Sequence, residues 1–141
     1  GEAIAAMILM FQKEVAERIT APPNTKSYGI LSVHCQLWMA VEPLFLVPPK
    51  AFYPVPKVDS CVVRLVRRES PLAQVGDPLW FRQVVQAAFG QRRKTLLNAL
   101  KTIEENPAPW LTRAAIDAGR RGETLSVVEF ARLANAFHDE G

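Results

Sequence analysis

Phe52-Tyr53-Pro54-Val55-Pro56-Lys57-Val58-Asp59-Ser60 is the stretch on which the reading of this chain turns: a proline-stiffened segment carrying two aromatic rings between two strand-like runs. Proline fixes φ and drives the residue before it toward extended backbone, so residues 51–57 are expected to form one nearly rigid extended arm. On its C-terminal side, residues 60–66 alternate Cys61, Val63 and Leu65 with Val62, Arg64 and Val66. On its N-terminal side, residues 31–41 place Leu31, Val33, Cys35, Leu37, Met39 and Val41 on one face. Ser32, His34, Gln36, Trp38 and Ala40 fall on the other. Both runs read as half-buried strands. The connector, with Pro43, Pro48, Pro49, Pro54 and Pro56, holds no crossover helix, so the pair is expected to be antiparallel with the arm at one end. Phe52 and Tyr53 then either pack against the domain, the commoner fate of aromatic rings, or form a platform for a flat ligand such as a nucleobase.

Upstream, residues 5–10 are a continuous apolar run, and Phe11, Val15, Ala16 and Ile19 follow at helical spacing until Pro22-Pro23. A strand apolar on both faces followed at once by a helix marks an open α/β sheet. One strand-helix unit cannot bury both faces of such a strand, so the sequence reads as a sheet entered midway. Gln12-Lys13-Glu14 stands at the C-terminal end of that strand, where such sheets place ligands; such a run is most often just the exposed start of a helix.

Downstream, residues 67–78 contain Pro71, Gly76 and Pro78 with little periodicity and read as a linker. This divides the chain into an α/β portion, residues 1–68, and a small all-α domain, residues 69–141. Phe81, Val84, Val85, Ala88 and Phe89 form an amphipathic stripe stopped by Gly90. Leu96, Leu97, Leu100 and Ile103 give a second helix, residues 110–116 a short third. Ser126 with Glu129 makes a capping box for a fourth, with Leu125 stapled to Phe130 and a buried face of Phe130, Leu133, Ala134 and Phe137.

The chain has 141 residues, 49% hydrophobic and 22% charged, which suits one ordinary domain or two small ones and excludes disordered or fibrous classes. No apolar run approaches the roughly 20 residues needed to span a bilayer, and residues 1–10 lack the basic start of a signal peptide. A cytoplasmic location is expected, with Cys35 and Cys61 as reduced, buried thiols. His34 and His138 stand alone, without metal-ligand spacing. Net charge is +3, but residues 50–101 carry ten Lys or Arg against Asp59, Glu69 and Asp77. Such a basic middle points to an oriented positive face and a nucleic-acid partner.

Gln91-Arg92-Arg93-Lys94 lies between the first two helices of the all-α portion. Three cations in the first turn of a helix oppose its dipole by roughly 0.3–1 kcal/mol each, so their presence there favours a phosphate ligand over local stability. Arg64, Arg67 and Arg68 follow the second strand and either extend that phosphate track or guard a sheet edge. Arg120 and Arg121 read as surface residues. There is no Gly-rich phosphate loop, no Ser-His-Asp or Cys-His arrangement, and no HExxH or CxxC motif.

Five blocks in one order resemble a known family: residues 7–19 (MILMFQKEVAERI), 28–33 (YGILSV), 47–60 (VPPKAFYPVPKVDS), 89–100 (FGQRRKTLLNAL) and 123–135 (ETLSVVEFARLAN). They are similar to the C-terminal half of bacterial small-subunit rRNA adenine dimethyltransferases of the KsgA type. The resemblance implies the end of a Rossmann-like sheet closed by an antiparallel strand pair, followed by a helical rRNA-binding domain. It implies an S-adenosylmethionine-dependent, monomeric enzyme that dimethylates N6 of two adjacent adenosines near the 3′ end of 16S rRNA in the small ribosomal subunit. Phe52 would stack on the flipped-out target adenine. Gln91, Arg92, Arg93, Lys94, Lys57 and Arg64 would contact RNA. The family's cofactor loop, its ribose-binding acid and its Asn-Leu-Pro-Tyr motif have no counterpart in these residues, so this chain alone is expected to be inactive. A non-catalytic RNA- or ribosome-binding module is the other reading. Ala115 stands where the family usually has Gly, so a different backbone is expected there.

Overall fold

The structure, a computed structural model, describes residues 6–137. Ala5, expected in the first strand, and His138 lie outside the described residues. The chain divides into two compact units, Gly1–Pro22 with Lys26–Leu72, and Pro23–Thr25 with Ala73–Gly141.

The first unit is an antiparallel sheet of order β1-β3-β2, built from β1 (Ala6–Gln12), β2 (Met39–Val47) and β3 (Ser60–Arg67). Two helices, α1 (Lys13–Thr20) and α2 (Ile30–Trp38), complete it. The alternation read in β3 is realised. Cys61, Val63 and Leu65 are buried, Arg64 is exposed, and the buried row packs with Ala16 and Ile19 of α1. Phe11, Cys35, Met39 and Val41 close over this core. On the other face the register aligns Ile8, Arg64 and Glu42 across the three strands. The edge strand β1 leaves Ile8 65% and Met10 52% exposed.

Residues 31–41 are not the strand that their alternation suggested. Residues 30–38 are helical, and the strand partner of β3 is Met39–Val47, antiparallel as expected. Tertiary capping decides the matter. Gln36 Nε2 donates to the Ile19 and Ala21 carbonyls at 3.0 and 2.8 Å, and Ser32 Oγ donates to the Arg18 carbonyl. One helical turn apart, these two side chains satisfy carbonyls at the C-terminal end of α1 that would otherwise be orphaned. Ser32 is fully buried in doing so. In a strand both would have pointed to the polar face. Pro43 is tolerated inside β2 because the strand is an edge and the ladder shifts register between Pro43 and Phe45.

The second unit is helical, with α3 (Pro78–Gly90), α4 (Leu96–Ala99), α5 (Ala108–Arg113) and α6 (Val127–Ala136). The second expected helix is shorter than its stripe, passing into a 3-10 turn at Leu100–Thr102. Asp77 caps α3, its Oδ1 accepting from the Leu79 and Trp80 amides at 3.1 Å, with Pro78 in the first position where its missing N–H costs nothing. The capping box of α6 forms as read, with Leu125 and Phe130 both fully buried. Trp80, Trp110 and Phe137 make an aromatic cluster with ring centroids 4.5–5.7 Å apart. After α5, Ala115 sits at φ 57. Its N–H donates to Thr112 and that of Ile116 to Leu111, both at 3.0 Å, which is the Schellman closure that glycine ordinarily makes. The alanine there has not moved the backbone out of the left-handed region.

Candidate nucleic-acid interface

The arm is the loop, residues 48–59, that closes the β2-β3 hairpin beyond the Val47-Ser60 pair. It is not extended throughout. A 3-10 turn at Pro49–Ala51 opens it, with Phe52 N–H donating to the Pro49 carbonyl at 3.1 Å. Pro49 can start such a turn because its fixed φ is helical and no N–H is required of it. The proline rule holds one residue earlier, where Pro48 is extended at ψ 154. Phe52 follows in extended backbone and is half-buried, whereas Tyr53, which precedes a cis proline, is 99% exposed. Lys57 is exposed.

The root of the arm meets the C-terminal end of β1. Gln12 pairs with Ser60, and the Lys13 amide donates to the Asp59 carbonyl at 2.9 Å. Two features that were separate in the sequence, the aromatic arm and Gln12-Lys13-Glu14, therefore share one end of the sheet. Glu14 is engaged by Arg18 at 2.7 Å, an exposed i,i+4 pair of the kind that contributes about 0.3–0.5 kcal/mol. Arg64 lies four residues along β3 from Ser60, roughly 13 Å at strand rise, on the face away from α1 and α2. Arg68 leaves the ladder. Its amide donates to Trp38 and its Nε to Gln36, at 3.0 and 3.1 Å, which ties it to the end of α2 rather than to a phosphate track.

In the second unit, residues 91–94 form a turn between α3 and α4, closed by the Lys94 amide on the Gln91 carbonyl at 2.9 Å. Thr95, not the cations, caps α4, its hydroxyl accepting from Asn98 N–H. Arg92, Arg93 and Lys94 thus precede the helix instead of occupying its first turn. The dipole acts within that turn, so the expected penalty against them is small and does not itself argue for a ligand. All four turn residues are exposed, and the Arg92 guanidinium lies 5.9 Å from the Phe89 ring centre, a cation–π distance. Phe89 is in turn 5.6 Å from Phe130, which anchors this end of α3.

The model of the family described as Ribosomal RNA adenine dimethylase matches residues 2–139. This chain belongs to that family. It is 51% identical over 133 residues to the ribosomal RNA small subunit methyltransferase A of Magnetococcus marinus, covering 94% of this chain and 48% of that protein. Against the protein of the same name from Listeria innocua it is 48% identical over 141 residues, covering 95% and 48%. A dimethyladenosine transferase from Plasmodium falciparum superposes with a TM-score of 0.73 at 26% identity, over 91% of this chain and 55% of that one. The 23S rRNA methyltransferase ErmE shares the fold, at TM-score 0.62 and 22% identity. The chain therefore spans about half the length of the curated relatives it matches.

Strand β1 passes directly into α1 at Gln12-Lys13, without the glycine turn that lets backbone approach a nucleotide. Gly29 is the sole described glycine of the first unit. Among the described residues no group of three His, Cys, Asp or Glu is placed to hold a metal ion, and no helix is long and apolar enough to cross a membrane. Cys35 and Cys61 are both free thiols, and burial pushes Cys35 above its ordinary pKa.

Arg120, expected as a surface residue, is instead paired with the capping-box glutamate. Arg120 grips Glu129 through two nitrogens at 2.6 and 3.1 Å and also donates to Thr124, so it is a clamp on α6 and not a surface cation. The signal was present, since the capping-box glutamate had a second carboxylate oxygen left to satisfy. The exposure of Tyr53 had no sequence signal, because a ring on an arm and a ring under it read alike.

Proposed function

We propose that this chain is the RNA-engaging half of an S-adenosylmethionine-dependent enzyme that dimethylates N6 of two adjacent adenosines near the 3′ end of 16S rRNA. The first unit presents the arm, and Phe52 stacks on the extruded target adenine. A half-buried ring is held in place while keeping area for a base. Arg92, Arg93 and Lys94, with Gln91, Lys57 and Arg64, contact the surrounding rRNA of the small ribosomal subunit. S-adenosylmethionine supplies the methyl group when bound, held by residues that the relatives have outside the half matched here. This chain alone then binds RNA and does not methylate it.

The observation that carries this reading is the junction of the arm with the C-terminal end of β1 at Asp59 and Lys13, in a chain of this family. An open α/β sheet offers its ligands that end, which brings the aromatic rings to where substrate and cofactor would converge. The test is the salt dependence of binding to a 16S rRNA 3′-end fragment. Affinity is expected to fall steeply between low and high salt, and Arg93→Ala to reduce the slope of log Kobs against log salt by about 0.7–0.9. Binding that does not weaken with salt contradicts the role given to the cationic turn.

A further inference from the structure

We propose that the groove between α3 and the 3-10 turn after α4 holds one unpaired nucleoside of the bound RNA. The proposal rests on the rRNA-binding reading above and adds a second point of base recognition. The concavity has a volume of about 430 Å³, within the span of about 300–1,000 Å³ usual for small-ligand sites. Its long wall is a single stripe of α3, with Trp80, Gln83, Ala87 and Gly90 at helical spacing and Gln86 beside them. Thr102 and Ile103 line the opposite side.

The lining chemistry selects the ligand. It contains no charged side chain, which argues against a free phosphate or an ionic ligand. Gln83, Gln86 and Gln91 are exposed carboxamides, each with two donors and an acceptor in one plane. Paired donor and acceptor groups are what a base edge requires. Trp80 adds a flat apolar wall, and its contacts with Trp110 and Phe137, at 5.7 and 4.5 Å between centroids, keep it in position. The floor is kept open by small residues, for a Cβ built on Gly90 would meet nothing within 4 Å. Gln91 belongs both to the groove and to the cationic turn, so the turn that carries Arg92, Arg93 and Lys94 begins at the edge of the groove. A flat wall, amide edges and neighbouring cations together suit a nucleoside within a polyanion better than a peptide.

The test uses the whole chain with two probes, an RNA hairpin bearing a single-stranded loop and a fully paired duplex of the same length. Two variants are compared with the parent, Gln83→Ala/Gln86→Ala and the groove-filling Gly90→Leu. A Cβ at Gly90 meets nothing within 4 Å, so the substitution has room at its root, and circular dichroism with urea unfolding checks that both variants keep the parent's fold. The parent is expected to prefer the hairpin. Both variants are expected to bind it at least about fivefold more weakly with the salt slope unchanged, because a base contact is lost and no phosphate contact is. Variants that bind both RNAs as the parent does, while Arg93→Ala still lowers the slope, overturn the groove proposal and leave the rRNA-binding reading standing. A parent chain that binds neither RNA overturns both.

Discussion

Replacing Glu129 by Gln separates charge from geometry at the start of α6. The carboxylate accepts the Ser126 amide at 2.9 Å while the Ser126 hydroxyl accepts the Glu129 amide at 3.1 Å, and Arg120 holds both carboxylate oxygens. The hydrogen bond from Arg120, opposed by partial burial and helped by Ser126, holds the carboxyl pKa at about 2. The full displacement from 4.5 corresponds to about 3 kcal/mol between native and unfolded states. The side chain is 24% exposed, and solvent screening brings the expected contribution to about 1–2 kcal/mol. Because the native pKa is depressed, this stability is present above the unfolded-state value and is lost as pH falls toward about 2. Gln still accepts the Ser126 amide, so the variant loses the charge and keeps the cap. Urea unfolding followed by tryptophan fluorescence is suited to this, since Trp80 and Trp110 lie in the second unit. The variant is expected to be about 1–2 kcal/mol less stable at neutral pH and to converge with the parent near pH 2. A gap of the same size at both pH values, or none at neutral pH, would refute the ion-pair reasoning.

Two further substitutions test the packing of the helical unit. Ala115→Gly removes left-handed strain of about 1–2 kcal/mol and adds unfolded-state freedom, for a net gain of about 0.5 kcal/mol in thermal or urea unfolding. Gly122→Ala places a Cβ 2.9 Å from the Ala88 carbonyl oxygen and 3.0 Å from its Cβ, against backbone that cannot yield cheaply. It is expected to destabilise by about 1–3 kcal/mol, with the melting temperature lowered by roughly 4–8 °C per kcal/mol.

The parts of the fold legible in the sequence are those where one local pattern had no competitor. The alternation of β3 and the Ser126-Glu129 box lie where the residues placed them, whereas the apolar strand β1 runs two residues further than its pattern, through Phe11 and Gln12, before its helix begins. Residues 31–41 misled because their apolar side chains satisfy a period of two, while the groups that settle the structure, Ser32 and Gln36, act on carbonyls of another helix. No window along the chain contains that information. The cationic turn misled by a few residues only, because Thr95 outcompetes its neighbours as a cap and moves the helix start past them. The groove on α3 leaves no mark in the hydrophobic pattern, because its glutamines lie on the face that the buried stripe Phe81, Val84, Val85 and Ala88 leaves exposed. The meeting of the arm with the end of β1 required the register of a strand pairing that sequence separation conceals.

The most direct measurement is of turnover and rRNA affinity in a full-length enzyme carrying Phe52→Ala in this half. A base stack is worth about 1–3 kcal/mol. If Phe52 holds the extruded adenine, kcat falls by roughly 5- to 150-fold while the Kd for rRNA, set by the cations, stays within about twofold. Turnover and affinity falling by the same factor, or a variant as fast as the parent, would contradict the account.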